Sequence, residues 1–134
     1  MDFRLVDTNI VSFRMKSHAL FELYRPHLFD YTPAISFQTV GELLEGAELA
    51  DWGKKKRKEL ELTLQDYTII ESERSINERW AFVRKARRTR PVGIADAWIA
   101  ATALAYGLEL VSHNPKDFAG IPGLTVITES VGKQ

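Results

Sequence analysis

The 134-residue sequence contains no cysteine. This absence excludes disulfide bonds, zinc sites built from thiolates and a cysteine nucleophile. It also fits a protein that works in a reducing compartment, so we expect a cytoplasmic location.

Long apolar runs are absent as well. No stretch is long and apolar enough to cross a bilayer, so we expect no membrane association. The first residues combine the acidic Asp2 with only a short apolar run, which is not the pattern of a signal peptide.

The sequence has no excess of charge of either sign, because 18 Lys and Arg balance 18 Asp and Glu. A nucleic acid would therefore have to be held by local patches rather than by the overall charge. The two basic runs are Lys54–Lys58 (KKKRK) and Arg84–Arg90 (RKARRTR). Most such runs are solvated helix faces, and contact with RNA phosphates is the alternative.

Several common motifs are missing: GxGxxG, GxxxxGK[ST] and GxSxG. Dinucleotide binding, P-loop chemistry and serine hydrolysis therefore find no support. The three histidines, His18, His27 and His113, do not have helical ligand spacing. We interpret His113 as a surface histidine, although its neighbour Asn114 leaves substrate contact as an alternative.

The residues that are present predict alternating strands and helices. Strands are expected over residues 3–6, 33–37, 67–70, 108–112 and 125–127, and helices over 38–50, 54–65, 75–87 and 94–106, with further helical material up to residue 25. The strands are short and apolar without polar alternation, which is typical of parallel strands covered on both faces. We predict one domain over residues 1–134, with the last few residues as a disordered tail. Its fold class is α/β, with three layers and a mainly parallel central sheet of four to five strands flanked by helices.

Acidic residues follow the strands. Asp7 ends the first strand, Glu42 lies in the first turns of the helix after the second, and Asp117 lies in the loop after the fourth. Ligands of parallel sheets bind beyond the carboxyl ends of the strands, so these acids could meet at one edge. Each has an ordinary alternative: a turn or helix N-cap for Asp7, a solvated helix face for Glu42, and a turn for Asp117.

Asp96 is the strongest single signal, because it is the only charged residue between Ile94 and Tyr106. A helix that is apolar all round is buried, and a buried carboxylate has to be protonated or paired. The ordinary alternative is an acid in the first turn that interacts with the helix dipole. Several carboxylates at one edge would repel each other, and the usual resolution is a divalent cation. Oxygen ligands favour Mg²⁺ or Mn²⁺ over zinc.

The stretches LVDTNI, VGELLEGA and GIADAWIAATALAYGLELVSHNPKDFAGIPGL together resemble the PIN-domain family, specifically the VapC-type toxin ribonucleases of toxin–antitoxin pairs. The similarity extends over nearly the whole chain, the block around DAWIAATAL and LVSHNPKDF is its most specific part, and residues 50–90 contribute little. The resemblance implies a metal-dependent endoribonuclease on a parallel sheet flanked by helices.

The resemblance also implies the roles of individual residues. The catalytic acids would be Asp7, Glu42, Asp96 and Asp117. Of these, Asp7, Asp96 and Asp117 would hold Mg²⁺ or Mn²⁺, and Glu42 would complete the shell or steer the attacking water. Supporting polar positions would be Thr8, Asn9, Ser112 and Asn114, with Ser112 where the family usually has threonine.

The partners implied by the resemblance are an RNA substrate, a cognate antitoxin protein and a second copy of the chain in a homodimer. Two alternatives stay open. One is a catalytically inactive PIN-like module that binds RNA or protein. The other is a receiver- or phosphatase-like α/β domain in which Asp7 accepts a phosphoryl group.

Overall fold

Five parallel strands form one sheet at the centre of the structure, a computed structural model that describes residues 2–129. The strands are β1 (Phe3–Val6), β2 (Thr32–Ser36), β3 (Thr68–Ile70), β4 (Leu110–Val111) and β5 (Val126–Ile127). Their order across the sheet is β3-β2-β1-β4-β5. The predicted α/β fold with a parallel sheet is confirmed. The tail expected at the end of the chain lies outside the described residues.

Helices cover both faces of this sheet. They are α1 (Thr8–Met15), α2 (Phe21–Tyr24), α3 (Phe37–Leu49), α4 (Lys54–Leu64), α5 (Arg74–Ala86) and α6 (Ile94–Tyr106), with short 3-10 helices at Arg25–Leu28 and Pro115–Phe118. Within residues 2–129, no helix combines the length and the apolar character needed to cross a membrane.

Neighbouring residues of one strand enter two different hydrophobic cores. In β1, Val6 packs in the core that contains Ile10 of α1 and Leu43 of α3. Leu5 belongs instead to the core that contains Ala100 of α6. Because successive side chains of a strand point to opposite faces, this division places helices on both sides of the sheet and gives the three layers. Full burial of such aliphatic side chains contributes about 1.5–3 kcal/mol each.

The strand order reverses at β1, which defines where a ligand would bind. From β1 the chain builds outward through β2 to β3, and then returns to the other side of β1 for β4 and β5. In open parallel sheets, the crevice beyond the carboxyl ends of the strands at such a reversal is the binding position. Here these ends are followed by Asp7 after β1 and Ser112 after β4.

Two connections differ from the sequence-based expectation. The helical material predicted to reach Arg25 is interrupted after α1, because Ser17 has a left-handed backbone with φ of 51°. Phe37, predicted to end the second strand, is the first residue of α3. The reason is that the Ser36 hydroxyl accepts a hydrogen bond from the Gln38 amide (3.0 Å) and so starts the helix one residue earlier.

Candidate active site

Asp7 lies at the point where β1 runs directly into α1. Its backbone amide donates to Val111 O of the neighbouring strand (2.9 Å), and its side chain caps α1 by accepting from the Thr8 amide at Oδ1 (2.7 Å). Oδ2 accepts from the Ser112 hydroxyl (2.7 Å). The helix-cap role that the sequence left open is therefore real. The same contacts fix the carboxylate rigidly at the edge of the sheet.

The surroundings of Asp7 disfavour its charge. Only 4% of the residue is exposed, and burial raises the pKa of its carboxyl above the ordinary value. The hydrogen bonds from Ser112 and Thr8 act in the opposite direction, and the charges of Glu42 and Asp117 raise the pKa further. Asp7 is therefore a carboxylate in fixed geometry that would gain from a nearby cation.

The segment after β4 supports Asp7. The Ser112 hydroxyl donates to Asp7 and accepts from the Asn114 amide (3.0 Å), so the serine is fixed on both sides. The His113 amide points to Asn9 Oδ1 at 3.5 Å. Three of the four predicted supporting residues, Ser112, Asn9 and Asn114, thus belong to one network. Asn114 joins it through its backbone, and the residue itself is exposed.

The fourth supporting residue, Thr8, connects Asp7 to Glu42. Its hydroxyl donates to Glu42 Oε1 (2.6 Å) and lies 2.9 Å from the hydroxyl of Thr39. Because Thr8 has one hydroxyl proton and uses it for Glu42, Thr39 is the donor to Thr8. Thr39 is fully buried and was not singled out in the sequence. The available signal was its place three residues before Glu42, on the same face of α3.

Asp96 occupies the first turn of α6, where no side chain caps the helix. Within residues 2–129, no hydrogen bond to its carboxylate is found, although the residue is largely removed from solvent. Burial is the largest cause and the charges of Asp7, Asp117 and Glu42 the next, and together they raise the pKa of Asp96 to about 6. The helix dipole would lower the pKa, so the dipole does not dominate here.

Asp117 lies in the 3-10 helix Pro115–Phe118, within the stretch predicted as a loop. It is exposed, and the buried ring of Phe118 anchors the turn that carries it. Its charge is close enough to raise the pKa of both Asp7 and Asp96. The structure therefore brings all four predicted acids to one edge of the sheet, with Asp117 on the solvent side.

These acids suit a hard divalent cation held partly through water. Within residues 2–129, no three acidic or histidine side chains stand close enough together to ligate one ion directly. Mg²⁺ retains several waters and uses only one or two carboxylates, so this spacing fits it better than a closed protein cage would. The donor set contains only oxygen, and the charges of neighbouring acids raise the pKa of Asp7 and of Asp96. Both features match Mg²⁺ or Mn²⁺.

His113 differs from its interpretation as a surface residue. The structure shows it half-buried, with Nδ1 hydrogen-bonded to the hydroxyl of the buried Tyr24. The Tyr24 and His113 rings meet edge to face at 5.6 Å. This packing fixes the strand end between Ser112 and Asn114. The sequence showed no sign of it, because Tyr24 and His113 are far apart in the chain.

Comparison with known proteins agrees with this geometry. The PIN-domain family model matches residues 4–124. The chain is 30% identical over 125 residues to "Ribonuclease VapC1" of Haemophilus influenzae strain R2866, covering 90% of this chain and 92% of that protein.

A second relative is the "tRNA(fMet)-specific endonuclease VapC" of Shigella flexneri. It is 29% identical to this chain over 122 residues, and the alignment covers 90% of this chain and 92% of that protein. Among solved structures, VapBC-1 from nontypeable Haemophilus influenzae superposes with a TM-score of 0.82 at 25% identity, over 94% of this chain and 97% of that one. The chain therefore belongs to the PIN-domain family, within its VapC group of toxin ribonucleases.

Proposed function

We propose that this VapC-group ribonuclease hydrolyses RNA phosphodiester bonds with Mg²⁺ or Mn²⁺ held by Asp7, Asp96 and Asp117, directly or through bound water. Glu42 completes the site as the group that accepts a proton from, or orients, the attacking water. The observation that carries the proposal is the carboxyl of Asp96, which is half-buried, accepts no hydrogen bond from residues 2–129 and lies near three further acids. A divalent cation at this position would relieve the repulsion.

In the proposed mechanism, Asp7 and Glu42 have different roles. Asp7 is held by Ser112 and the Thr8 amide, so it provides a ligand oxygen in a fixed position. One carboxylate oxygen of Glu42 accepts from the Thr8 hydroxyl, and the other, which accepts no hydrogen bond from residues 2–129, is available to a water. When bound, Mg²⁺ or Mn²⁺ would make an attacking water more acidic and offset negative charge on the scissile phosphate.

The partners follow from the family. We propose an antitoxin protein that inhibits the enzyme, a homodimeric assembly and a cytoplasmic place of action, with residues 1–134 forming one domain. The relative from Shigella flexneri carries a name that specifies tRNA(fMet), and the solved relative from Haemophilus influenzae is named as a VapBC pair. These names support RNA as the substrate class and an antitoxin as the partner.

The two alternative functions fit less well. A PIN-like module without catalysis would have no reason to keep four acids whose charges disfavour one another. A phospho-accepting Asp7 is not favoured by the family match, since the similar proteins are named as a ribonuclease and an endonuclease.

Cleavage of a mixed RNA pool by the purified protein tests the proposal. We expect Mg²⁺- or Mn²⁺-dependent cleavage that is lost in EDTA, and a reduction on the order of 100-fold or more in Asp7→Asn and Asp96→Asn. Glu45→Gln is the matched control, because Glu45 is an exposed acid on the same helix as Glu42. Parent-like cleavage by both Asn variants would show that the carboxylate site is wrong.

A further inference from the structure

Five of the seven residues from 84 to 90 are cationic, and we call this stretch the arginine segment. It comprises the last turn of α5 and the turn that follows. Its five cations are Arg84, Lys85, Arg87, Arg88 and Arg90. The family resemblance of the sequence is weakest over this part of the chain, so the segment is a feature of this protein to be explained from its own contacts.

None of the five cations forms a salt bridge with a carboxylate of residues 2–129. Elsewhere in that range, arginines do find acidic partners: Arg4 pairs with Glu109 at 2.8 Å, and Arg57 on the other basic run pairs with Glu48 at 2.9 Å. The positive charge of the arginine segment is therefore left uncompensated by the described part of the chain. An uncompensated cluster is available to an anion.

Hydrogen bonds fix the segment in place. Arg84 Nη1 donates to Val92 O (3.2 Å), and Arg87 donates through Nε to Arg90 O (2.7 Å) and through Nη1 to Ala119 O (2.5 Å). Arg84 and Arg87 are thus used to hold the backbone. The turn that they hold is rigid, which lowers the entropic cost of binding a ligand there.

The same contacts place the segment beside two acids of the candidate site. Ala119, which accepts from Arg87, lies two residues after Asp117. Val92, which accepts from Arg84, lies four residues before Asp96. The cationic turn is therefore tied to residues that flank both acid-bearing elements, α6 and the 3-10 helix Pro115–Phe118.

Two arginines of the segment are exposed and make few hydrogen bonds to residues 2–129. Arg88 is exposed and spends one nitrogen, Nη1, on the Lys85 carbonyl (3.0 Å), which leaves its other donors open. Arg90 is exposed, and no side-chain hydrogen bond to residues 2–129 is found for it. Guanidinium groups match phosphate oxygens with two parallel hydrogen bonds.

We propose that Arg88 and Arg90 bind backbone phosphates of the RNA next to the one that is cleaved. This inference rests on the proposed function, because it concerns the same substrate. The four acids repel a polyanion, and the chain as a whole has no net charge to attract one. The exposed guanidinium groups of Arg88 and Arg90 supply the attraction beside the acidic site, and they bind RNA phosphates without regard to base sequence.

Binding of RNA without metal tests this inference independently of catalysis. The probe is a fluorescent, unpaired mixed-sequence RNA of about 20 nucleotides, measured by anisotropy in EDTA between 50 and 200 mM salt. We expect the double variant Arg88→Ala, Arg90→Ala to bind on the order of tenfold more weakly at low salt. The slope of log affinity against log salt should become shallower by about 1.4, which is 0.7 for each phosphate contact on a single strand.

Two further variants sharpen the test. Arg88→Lys, Arg90→Lys keeps the charge, and we expect it to retain most of the salt slope with a smaller loss of affinity. Lys54→Ala, Lys58→Ala on the other basic run removes the same charge from α4. Arg57 ties this helix to Ala47 and Trp52, at and just after the end of α3, rather than to the segments next to Asp96 and Asp117. This control should keep the parent slope to within the error.

The outcomes separate the inference from the proposed function. If the alanine pair binds RNA with parent affinity and salt slope, or if the α4 control loses as much, the inference is overturned, whatever the enzyme cleaves. An arginine face reserved for a protein partner would give the first of these results. If the alanine pair loses binding while the parent shows no metal-dependent cleavage, the RNA contact stands and the proposed function fails.

Discussion

Asp7 and Asp96 lie at the same edge of the sheet, but the structure holds them differently. Asp7 is buried and accepts hydrogen bonds from the Thr8 amide and the Ser112 hydroxyl. Asp96 is half-buried, and within residues 2–129 no hydrogen bond to its carboxylate is found. Burial raises the pKa of both carboxyls, yet only for Asp7 do hydrogen bonds oppose the rise.

The difference indicates two roles within one site. Asp7 helps to build the fold, since it caps α1 and joins the ends of β1 and β4. Within residues 2–129, Asp96 makes no such contact. Its partly buried charge therefore lowers the stability of the fold, which indicates a role other than folding. Groups with strongly shifted pKa values and no structural partner are typical of functional sites. Variants at the two residues should therefore differ in stability, with the largest change at Asp7.

Asp7→Ala should lower the free energy of unfolding by about 2 kcal/mol, because it removes the α1 cap and leaves the buried Ser112 hydroxyl without its acceptor. The relief of a buried charge offsets part of this loss. Urea denaturation followed by circular dichroism measures the change. Asp30→Ala, at an exposed aspartate, is the control and should change stability by less than about 0.5 kcal/mol. Equal effects in the two variants would contradict the structural role of Asp7.

Asp96→Asn should have the opposite effect and stabilise the metal-free protein at pH 7 by about 1 kcal/mol, a figure reduced for solvent screening. The sign follows from the pKa of about 6 in the folded state against an ordinary 3.8. Between these values the folded chain binds more protons than the unfolded chain, so the contribution of Asp96 is favourable below about pH 4 and is lost as the pH rises through 6.

The pH dependence of stability is a second test of the Asp96→Asn variant. Denaturation midpoints in EDTA from pH 4 to 7 should show a decline in the parent that is reduced in Asp96→Asn. Glu78→Gln, an exposed acid on α5, should keep the parent profile. If Asp96→Asn were less stable than the parent across this range, Asp96 would be a structural residue like Asp7.

Thr39→Val tests the connection between the Thr8 hydroxyl and Glu42 and should have the smallest effect. The variant removes the donor to Thr8 but leaves the Thr8 bond to Glu42 in place. We expect a loss of about 0.5 kcal/mol in stability and a few-fold loss in cleavage rate. Thr68→Val, at an exposed threonine of β3, is the control. A cleavage loss as large as that of Asp96→Asn would show that Thr39 acts directly in the site.

What Asp7 and Asp96 have in common could be predicted from the sequence, together with the parallel α/β fold that carries them. The apolar strand before Asp7 and the apolar helix around Asp96 both mark a carboxylate in an environment that disfavours charge. The network of Thr8 and Thr39, and the contact between Tyr24 and His113, could not be predicted. They join residues 31 and 89 positions apart, and the partners depend on how helices pack on the sheet rather than on local spacing.

The central claim is that Asp96 is kept for a divalent cation, and its pKa with and without Mg²⁺ tests this most directly. Carboxyl chemical shifts from NMR, assigned through the Asp96→Asn spectrum, follow the titration of this one group. We expect a pKa of about 6 for Asp96 in EDTA. In saturating Mg²⁺ we expect a value below the ordinary 3.8, because a nearby cation favours the charged form. An Asp96 that titrates at the same pH in both solutions would contradict the central claim.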